Sequence, residues 1–214
     1  MASPKAPGQG ALFAFEGGEG AGKSTQITRV ADTLRAQGWQ VCNTREPGGT
    51  VLGEAIRAVL MADHDVPMPA MSELLLMFAA RAAHLAQVIE PALADGQIVL
   101  CDRFTDASYA YQGAARGLGH ESVATLERLV QGERRPDGVL LLDLPVVVGA
   151  ARAAARGKGN RFDSEAQSFH DTVRQTYLER AAEAPTRYQV IDADQPAETV
   201  AEAIVSRINH WLGS

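Results

Sequence analysis

One eight-residue stretch, residues 17–24, constrains the fold of this chain more than any other part of its sequence. It reads Gly-Gly-Glu-Gly-Ala-Gly-Lys-Ser and fits the pattern G-x-x-x-x-G-K-[ST] of a phosphate-binding loop. The apolar segment 11–15 before it predicts a strand, and apolar residues at helical spacing predict a helix over 25–37. Such a loop turns its backbone N–H groups around phosphate oxygens at the positive end of the helix. We therefore expect Lys23 to reach the β- and γ-phosphates of a nucleotide and Ser24 to bind Mg²⁺.

The composition predicts one soluble α/β domain over residues 11–214, preceded by a flexible tail at 1–10 that lacks a secretory signal. A net charge of −6 argues against a general nucleic-acid binder, and no apolar run approaches the length of a membrane span. Cys42 and Cys101 fall in predicted strands without metal-ligand spacing. They indicate free thiols in a reducing compartment, for which the cytoplasm is the default.

Strands and helices alternate along the chain. After the first pair, the pattern predicts strands at 39–44, 97–101, 138–143 and 188–191. Helices are predicted over 51–61, 71–93, 107–113, 122–131, 146–156, 164–183 and 199–212. Five strands separated by helices predict a parallel sheet with helices on both faces, the three-layer architecture of a P-loop NTPase. Ligands are then expected at the carboxyl ends of the strands.

Charged residues follow these strands at the edge where a ligand is expected. Arg45 follows the second strand, Asp102 and Arg103 follow the third, and Asp143 ends the fourth. An acidic residue here can hold Mg²⁺, and an arginine can hold a second phosphate. Ordinary salt bridges or a helix cap would also explain these residues. Their shared location beside the predicted phosphate loop favours a ligand-binding site instead.

Two further groups suggest a lid and a pocket for a base. Basic residues interleaved with glycines over about 152–163 predict a short mobile lid, with a solvated basic loop as the alternative. An apolar surface beside an arginine and an amide suits a nucleobase, although Met77 and Phe78 also fit core packing. A GTPase would need a guanine-reading N-K-x-D, which this sequence lacks. The pocket residues are Met77, Phe78, Arg81, Ser108, Tyr111 and Gln112.

These motifs, taken in order, resemble the thymidylate kinase family from about residue 12 to residue 212. The resemblance rests on the phosphate loop and on the strings at 44–50, 78–81, 102–104, 110–113 and 134–137. It implies a five-stranded parallel sheet and transfer of the γ-phosphoryl group of ATP to dTMP with Mg²⁺, giving dTDP and ADP for dTTP synthesis. It also implies a homodimer packed through helices, with no nucleic-acid or membrane partner.

The resemblance also implies residue roles. ATP would be held by Gly17, Gly18, Glu19, Gly20, Ala21, Gly22, Lys23, Ser24, Thr25, Arg152 and Arg156. The dTMP site would comprise Glu19, Arg45, Pro47, Met77, Phe78, Arg81, Arg103, Ser108, Tyr111 and Gln112. The catalytic groups would be Lys23, Asp102, Arg103 and Arg156, with Ser24 and Asp102 serving the metal.

Several of these roles are specific. Arg45 and Arg103 resemble the pair that grips the dTMP phosphate, and Arg81 resembles the thymine-edge contact. Tyr111 resembles the residue under the sugar that disfavours a 2′-hydroxyl. The phosphate loop has no arginine and the lid is basic, so the chain resembles the bacterial type whose catalytic arginine, here Arg156, comes from the lid.

The sequence departs from the family pattern in two places. Met77 stands where the family has its stacking aromatic residue, and Phe78 follows it. The lid reads Asn160-Arg161-Phe162-Asp163 where the family commonly has Asp-Arg-Phe-Glu. The alternatives are another P-loop kinase for a nucleoside or nucleoside monophosphate, or a regulatory protein that binds ATP without turnover. Arg45 and Arg103 favour a phosphorylated acceptor, since a nucleoside has no phosphate to grip.

Overall fold

The computed structural model describes residues 10–63, 65–155, 157, 159 and 161–213. Its centre is a five-stranded, all-parallel sheet with the strand order β2-β3-β1-β4-β5. The strands are β1 (Ala11–Glu16), β2 (Val41–Arg45), β3 (Ile98–Asp102), β4 (Gly138–Asp143) and β5 (Tyr188–Asp192). The inner strands β3, β1 and β4 are apolar almost throughout, as expected for strands covered on both faces.

Helices connect the strands and form the two outer layers. Those of the first half are α1 (Lys23–Ala36), α2 (Val51–Met61), α3 (Ala70–His84), α4 (Glu90–Ala94) and α5 (Thr105–Ser108). Those of the second half are α6 (His120–Gln131), α7 (Val146–Ala155), α8 (Gln167–Glu183) and α9 (Ala197–Leu212). Two π-helical segments, Leu85–Ile89 and Tyr109–Ala115, continue α3 and α5.

The core lies on both faces of the sheet, which confirms the predicted three-layer architecture. In β1 the side chains of Phe13 and Phe15 join the cluster on the α1 and α9 side. Leu12 and Ala14, which alternate with them, join the cluster that contains residues of α8. This alternation follows from the two-residue period of a strand.

The predicted elements are present, and their ends differ by a few residues. The first helix begins at Lys23 rather than at residue 25, because Gly22 (φ 86°) lets the chain turn directly from the loop into the helix. The helix predicted at 107–113 is the short α5 followed by a π-helical segment. That segment ends at Ala115, so the helical stretch is longer at both ends than its apolar spacing indicated.

The helical stretch Ala70–Ala94 is, among the described residues, long and apolar enough to cross a membrane, with a mean hydropathy of 1.2. The core helix of a folded domain passes the same test. Half of its apolar window is buried inside the protein, and Leu85, Ile89 and Ala92 belong to a core cluster. Glu73 and Arg81, also on this stretch, are buried with polar partners in the domain.

Candidate active site

The phosphate loop leaves β1 and enters α1 at the carboxyl edge of the sheet. A Cβ atom on Gly17 (φ 139°) would collide with the backbone carbonyl of Leu142, so this position needs a glycine. Lys23 Nζ lies 3.0 Å from the carbonyl oxygens of both Gly17 and Gly18 and donates hydrogen bonds to them. Burial and the nearby Arg103 lower the pKa of Lys23. The Lys23 ammonium group is therefore held inside the loop by two carbonyl groups, with the carboxylates of Asp102 and Glu19 nearby favouring its charge.

A hydroxyl and a carboxylate meet beside this loop. Ser24 Oγ donates a 3.0 Å hydrogen bond to Asp102 Oδ2, although the two residues are 78 positions apart. They meet because β1 and β3 are neighbours, with Phe15 level with Asp102 in the sheet. Both groups are hard oxygen ligands of the kind that Mg²⁺ uses alongside water and phosphate. No group of three or more His, Cys, Asp or Glu side chains that could hold a metal occurs in the described part of the chain.

Arg103 connects the phosphate loop to the opposite wall of the site. Its backbone is left-handed (φ 68°), a conformation that costs a side-chain-bearing residue energy and is often found at functional sites. Its guanidinium donates to the Gly17 carbonyl (2.9 Å) and to Glu19 Oε1 (2.6 Å). Burial alone would raise the pKa of Glu19, but Arg103 and Lys23 outweigh it and lower the pKa to about 2. Glu19 is thus ionised and fixed beside Arg103.

A cleft of about 570 Å³, here called the loop cleft, brings the predicted charged residues together. It is lined by the phosphate loop, including Thr25, and by Arg45, Arg57, Asp102 and Arg103. Arg45 is half exposed and pairs with Glu54 at 2.8 Å. Three arginines therefore face one cleft.

Sequence reasoning missed Arg57. Its guanidinium donates to the Pro47 carbonyl at 3.0 Å, and burial together with Arg45 lowers its pKa. The only signal in the sequence was its place on the helix that begins after Thr50, whose hydroxyl accepts from Gly53 N. That helix begins directly after the segment 45–50, so an arginine two turns into the helix can contact this segment.

A smaller pocket of about 80 Å³, here called the inner pocket, continues from the loop cleft. Its lining residues are Glu19, Glu46, Pro47, Arg57, Met61, Met77, Arg103, Ala107, Tyr111 and Phe162. Tyr111 donates from its hydroxyl to Glu19 at 3.0 Å, and its ring lies under the Arg103 guanidinium. Met77 lines this pocket, whereas Phe78 packs in a core cluster with Leu74, Tyr109 and Val123. Phe162, which sequence reasoning did not assign, packs edge-on against Tyr111.

Arg81 lies one helical turn beyond Met77 and is almost completely buried, with 1% of its surface exposed. Its Nε donates to Glu46 Oε2 at 2.7 Å, and its Nη2 donates to the Phe104 carbonyl and to Ser108 Oγ. The remaining nitrogen, Nη1, is buried and has no hydrogen-bond partner among the described residues. Arg81 therefore offers one unused donor.

Gln112, the residue after Tyr111, carries a buried hydrogen-bond acceptor, whereas Arg81 carries a buried donor. Its Nε2 donates to Glu73 Oε1 at 2.7 Å, while its Oε1 is buried without a partner in the described part of the chain. Buried polar atoms without partners are rare in folded proteins, because each costs the hydrogen bond that it made with water. Arg81 Nη1 and Gln112 Oε1 are thus a buried donor and a buried acceptor on neighbouring elements, although neither residue is among those that line the inner pocket.

Glu16 ends β1 at the edge of the sheet where the sequence places the site, but the sequence assigned it no role there. Its carboxyl group is fully buried and accepts from Phe104 N and from the Tyr177 hydroxyl, both at 2.7 Å. Burial, followed by the repulsion of Asp106, raises the pKa of Glu16 to about 7. The Tyr177 hydroxyl also accepts from Arg103, so Glu16 is connected to Arg103 through Tyr177.

The lid residues are only partly described. Arg152 donates to the Ala193 carbonyl at 2.9 Å and to Asp194 at 2.7 Å, so it contacts the segment after β5 rather than the phosphate loop. Arg156, the predicted lid arginine, lies outside the described residues, as do Lys158, Asn160 and the predicted tail at 1–9.

Comparisons with known proteins agree with this geometry. The family model described as thymidylate kinase matches residues 15–204. A thymidylate kinase of Pseudomonas putida (strain W619) is 61% identical over 193 residues, covering 90% of this chain and 93% of the relative. A thymidylate kinase of Pseudomonas syringae pv. syringae (strain B728a) is 59% identical over 87% of this chain and 89% of its own length. One of Ectopseudomonas mendocina (strain ymp) is 60% identical with the same coverage.

Proposed function

Because this chain belongs to the thymidylate kinase family, we propose that it transfers the γ-phosphoryl group of ATP to dTMP, giving dTDP and ADP. One observation carries the proposal. The carboxyl edge of the sheet joins a phosphate loop, a cleft with three arginines and the inner pocket. Arg81, which bonds to the pocket residue Glu46, and Gln112, which follows the pocket residue Tyr111, each carry a buried polar atom without a partner in the described part of the chain. A triphosphate, a monophosphate and a base edge are the ligand groups that match these features.

On the donor side, the loop N–H groups and Lys23 bind the phosphates of ATP. The Lys23 ammonium group exchanges the Gly17 and Gly18 carbonyls for β- and γ-phosphate oxygens, which are stronger acceptors. Ser24 and Asp102 would hold Mg²⁺, which supplies positive charge to the phosphates during transfer. Arg156 is the lid arginine proposed for this side, whereas Arg152 is bonded to the segment after β5.

On the acceptor side, Arg45, Arg57 and Arg103 bind the phosphate of dTMP. The ionised Glu19, fixed between Arg103 and the Tyr111 hydroxyl, lies where the sugar would pass from the loop cleft into the inner pocket. Tyr111 lines that pocket, and its proposed role is to disfavour an additional hydroxyl on the sugar.

The base is read by one donor and one acceptor. Thymine presents a carbonyl at C4 and an N–H at N3, which match Arg81 Nη1 and Gln112 Oε1. Cytosine presents an amino group and an unprotonated nitrogen at the same places, so both contacts are mismatched. Met77 supplies the apolar surface beside the base.

The reaction needs no general base from the protein. The second pKa of a phosphate monoester is about 6, so the attacking oxygen of dTMP is already ionised near pH 7. The work of the protein is to bring two anions together in line and to neutralise their charge. Lys23 and the three arginines of the loop cleft supply that charge from positions fixed by carbonyl and carboxylate partners.

We further propose a cytoplasmic homodimer. The surfaces of α2 and α3, which pack against each other, expose Leu52, Val59, Met71 and Leu75. Contiguous exposed apolar side chains favour association with a second apolar surface. Cys42 and Cys101 are free thiols, which suits a reducing compartment.

The test is ADP release from Mg·ATP with dTMP, dUMP, UMP, CMP, AMP, GMP and thymidine as acceptors. Fast turnover with dTMP, slower turnover with dUMP and negligible turnover with the others is expected. Turnover with thymidine but not with dTMP would assign the chain to the nucleoside kinases and remove the phosphate role from Arg45 and Arg103. ATP binding without any turnover would favour a regulatory protein.

A further inference from the structure

We propose that Glu73 is a positioning residue that sets pyrimidine selectivity by fixing which end of the Gln112 carboxamide is available to the base. This inference rests on the proposed function, since it concerns how the dTMP site distinguishes its base. No motif in the sequence pointed to Glu73, and its role emerges only from its contacts.

Glu73 lies in the first turn of α3 and is completely buried. Its Oε1 accepts the 2.7 Å hydrogen bond from Gln112 Nε2. Its Oε2 lies 2.6 Å from Arg161 Nη2 and 3.3 Å from Arg116 Nε. One carboxylate thus holds a neutral amide and two guanidinium groups.

The two arginines fix both oxygens of Glu73 as hydrogen-bond acceptors. Arg161 Nη2 donates to Oε2 at 2.6 Å, and Arg116 Nε donates to Oε1 at 3.4 Å. Guanidinium nitrogens can only donate, so each oxygen of the Glu73 carboxylate accepts. Gln112 therefore turns its amino group towards Glu73, whatever ligand occupies the site.

The orientation of the amide has a direct consequence for the base. With its amino group committed to Glu73, Gln112 keeps its carbonyl oxygen, Oε1, as the free group. Thymine and uracil satisfy this acceptor with N3–H, whereas the N3 atom of cytosine is itself an acceptor. If the amide turned over, it would offer an N–H group and accommodate cytosine at this contact.

A structural role for Glu73 is the competing explanation. Arg161 and Phe162 lie at the end of the predicted lid, and Arg161 also donates from Nε to the Leu60 carbonyl. Glu73 therefore also holds the end of the lid segment beside the inner pocket, which Phe162 lines. A residue that only held this segment would change turnover with every acceptor and leave the base preference unchanged.

The experiment compares kcat/KM for dTMP and dCMP in the full-length protein, with the inhibition constant of dCMP against dTMP as a second readout. In Glu73→Gln the side chain can donate as well as accept, so the Gln112 amide is free to turn over. The dTMP-to-dCMP ratio is expected to fall about tenfold, which corresponds to about 1.4 kcal/mol, the scale of one hydrogen bond.

Two further variants separate positioning from structure. Arg161→Met removes the lid contact but leaves the carboxylate and Arg116, so activity with both acceptors falls while their ratio stays within about twofold of wild type. Glu73→Asp keeps a group that only accepts but shortens its reach, so the ratio falls by about threefold, an intermediate loss.

The outcomes are distinct. A folded Glu73→Gln protein with the wild-type ratio overturns the proposal, as does an equal loss of selectivity in Arg161→Met. Should Glu73→Gln fail to fold, an unchanged ratio in Glu73→Asp overturns it. Wild-type protein that does not phosphorylate dTMP refutes the proposed function itself, whereas turnover of dTMP with unchanged ratios in the Glu73 variants refutes this inference alone.

Discussion

The phosphate loop and the inner pocket lie at the same edge of the sheet but are built from different kinds of contact. The loop is local: eight consecutive residues provide its backbone donors, and Lys23 bonds to carbonyls five and six residues away. The polar groups beside the inner pocket are paired over long separations, such as Glu46 with Arg81 (35 residues) and Glu73 with Gln112 (39 residues). A local motif can be recognised in a sequence, whereas a long-range pair exists only once the chain has folded.

The two regions also differ in how far folding depends on their charges. Arg81 and Glu46 are both almost fully buried, so removing Arg81 leaves the Glu46 carboxylate buried with the His84 contact but without its guanidinium partner. The ion pair of Arg45 with Glu54 at the loop cleft is about half exposed, and water replaces either partner at little cost. Variants of the pocket should therefore alter stability and binding together, whereas variants of the loop and its cleft should alter function alone.

The largest effect is expected for Lys23→Ala. Under the proposed function this change removes a charge that would stabilise the transferring phosphoryl group, so kcat should fall by about 10³-fold while the affinity for dTMP stays nearly constant. Single-turnover kinetics and calorimetric titration with dTMP measure the two effects separately. A large loss of dTMP affinity with unchanged turnover would contradict this role. It would also show that the loop and the inner pocket do not differ in function as proposed.

The next effect is expected for Arg81→Met, which has similar length but no charge. Leaving Glu46 buried without its partner should lower the free energy of unfolding by about 4 kcal/mol and weaken dTMP binding at the same time. Urea denaturation provides the measurement. The matched control is Glu46→Gln with Arg81→Met, because removing both charges should recover part of the stability. A stable, active Arg81→Met protein would refute the expectation that the buried ion pair beside the inner pocket is needed for both stability and binding.

A smaller effect concerns pH. Because the pKa of Glu16 is about 7 in the folded protein and near 4.5 when unfolded, the folded state binds more protons between these values. Stability from this group is therefore highest below about pH 4.5 and falls as pH rises to about 7, by about 3 kcal/mol in total. Glu16→Gln should flatten this part of the curve of unfolding free energy against pH. An identical slope in wild type and variant would show that another group titrates.

The smallest effect on stability is expected for Arg45→Met. The Arg45–Glu54 pair is half exposed, so the free energy of unfolding should change by less than about 1 kcal/mol. The KM for dTMP should nevertheless rise about tenfold, since the variant cannot make the charged hydrogen bond that we propose between Arg45 and the phosphate. Thermal melting and steady-state kinetics on the same preparation test both parts. A stability loss as large as that of Arg81→Met would remove the distinction between the regions.

The same difference explains how much the sequence could predict. The order of strands and helices and the phosphate loop follow from local patterns, and all five strands are present with ends shifted by a few residues. Arg57 and Phe162 were not predicted, because an arginine within a helix and an aromatic residue after a loop have many ordinary explanations. Glu73 and Glu16 were missed for a stronger reason: their partners lie 39 to 161 residues away, and no spacing rule connects them. The assigned roles of the remaining site residues stay predictions.

The left-handed backbone of Arg103 is a strain that its side chain offsets. Glycine adopts a φ near 68° without the steric cost, about 1 kcal/mol or more, that any residue with a Cβ atom carries there. Glycine would also delete the guanidinium that joins Gly17 to Glu19 and donates to Tyr177. Hydrogen bonds to charged groups contribute about 1.5–3 kcal/mol each, so the net effect of glycine should be destabilising. A protein designer who corrected this backbone angle in isolation would therefore remove the contacts that connect the loop to the far wall of the site.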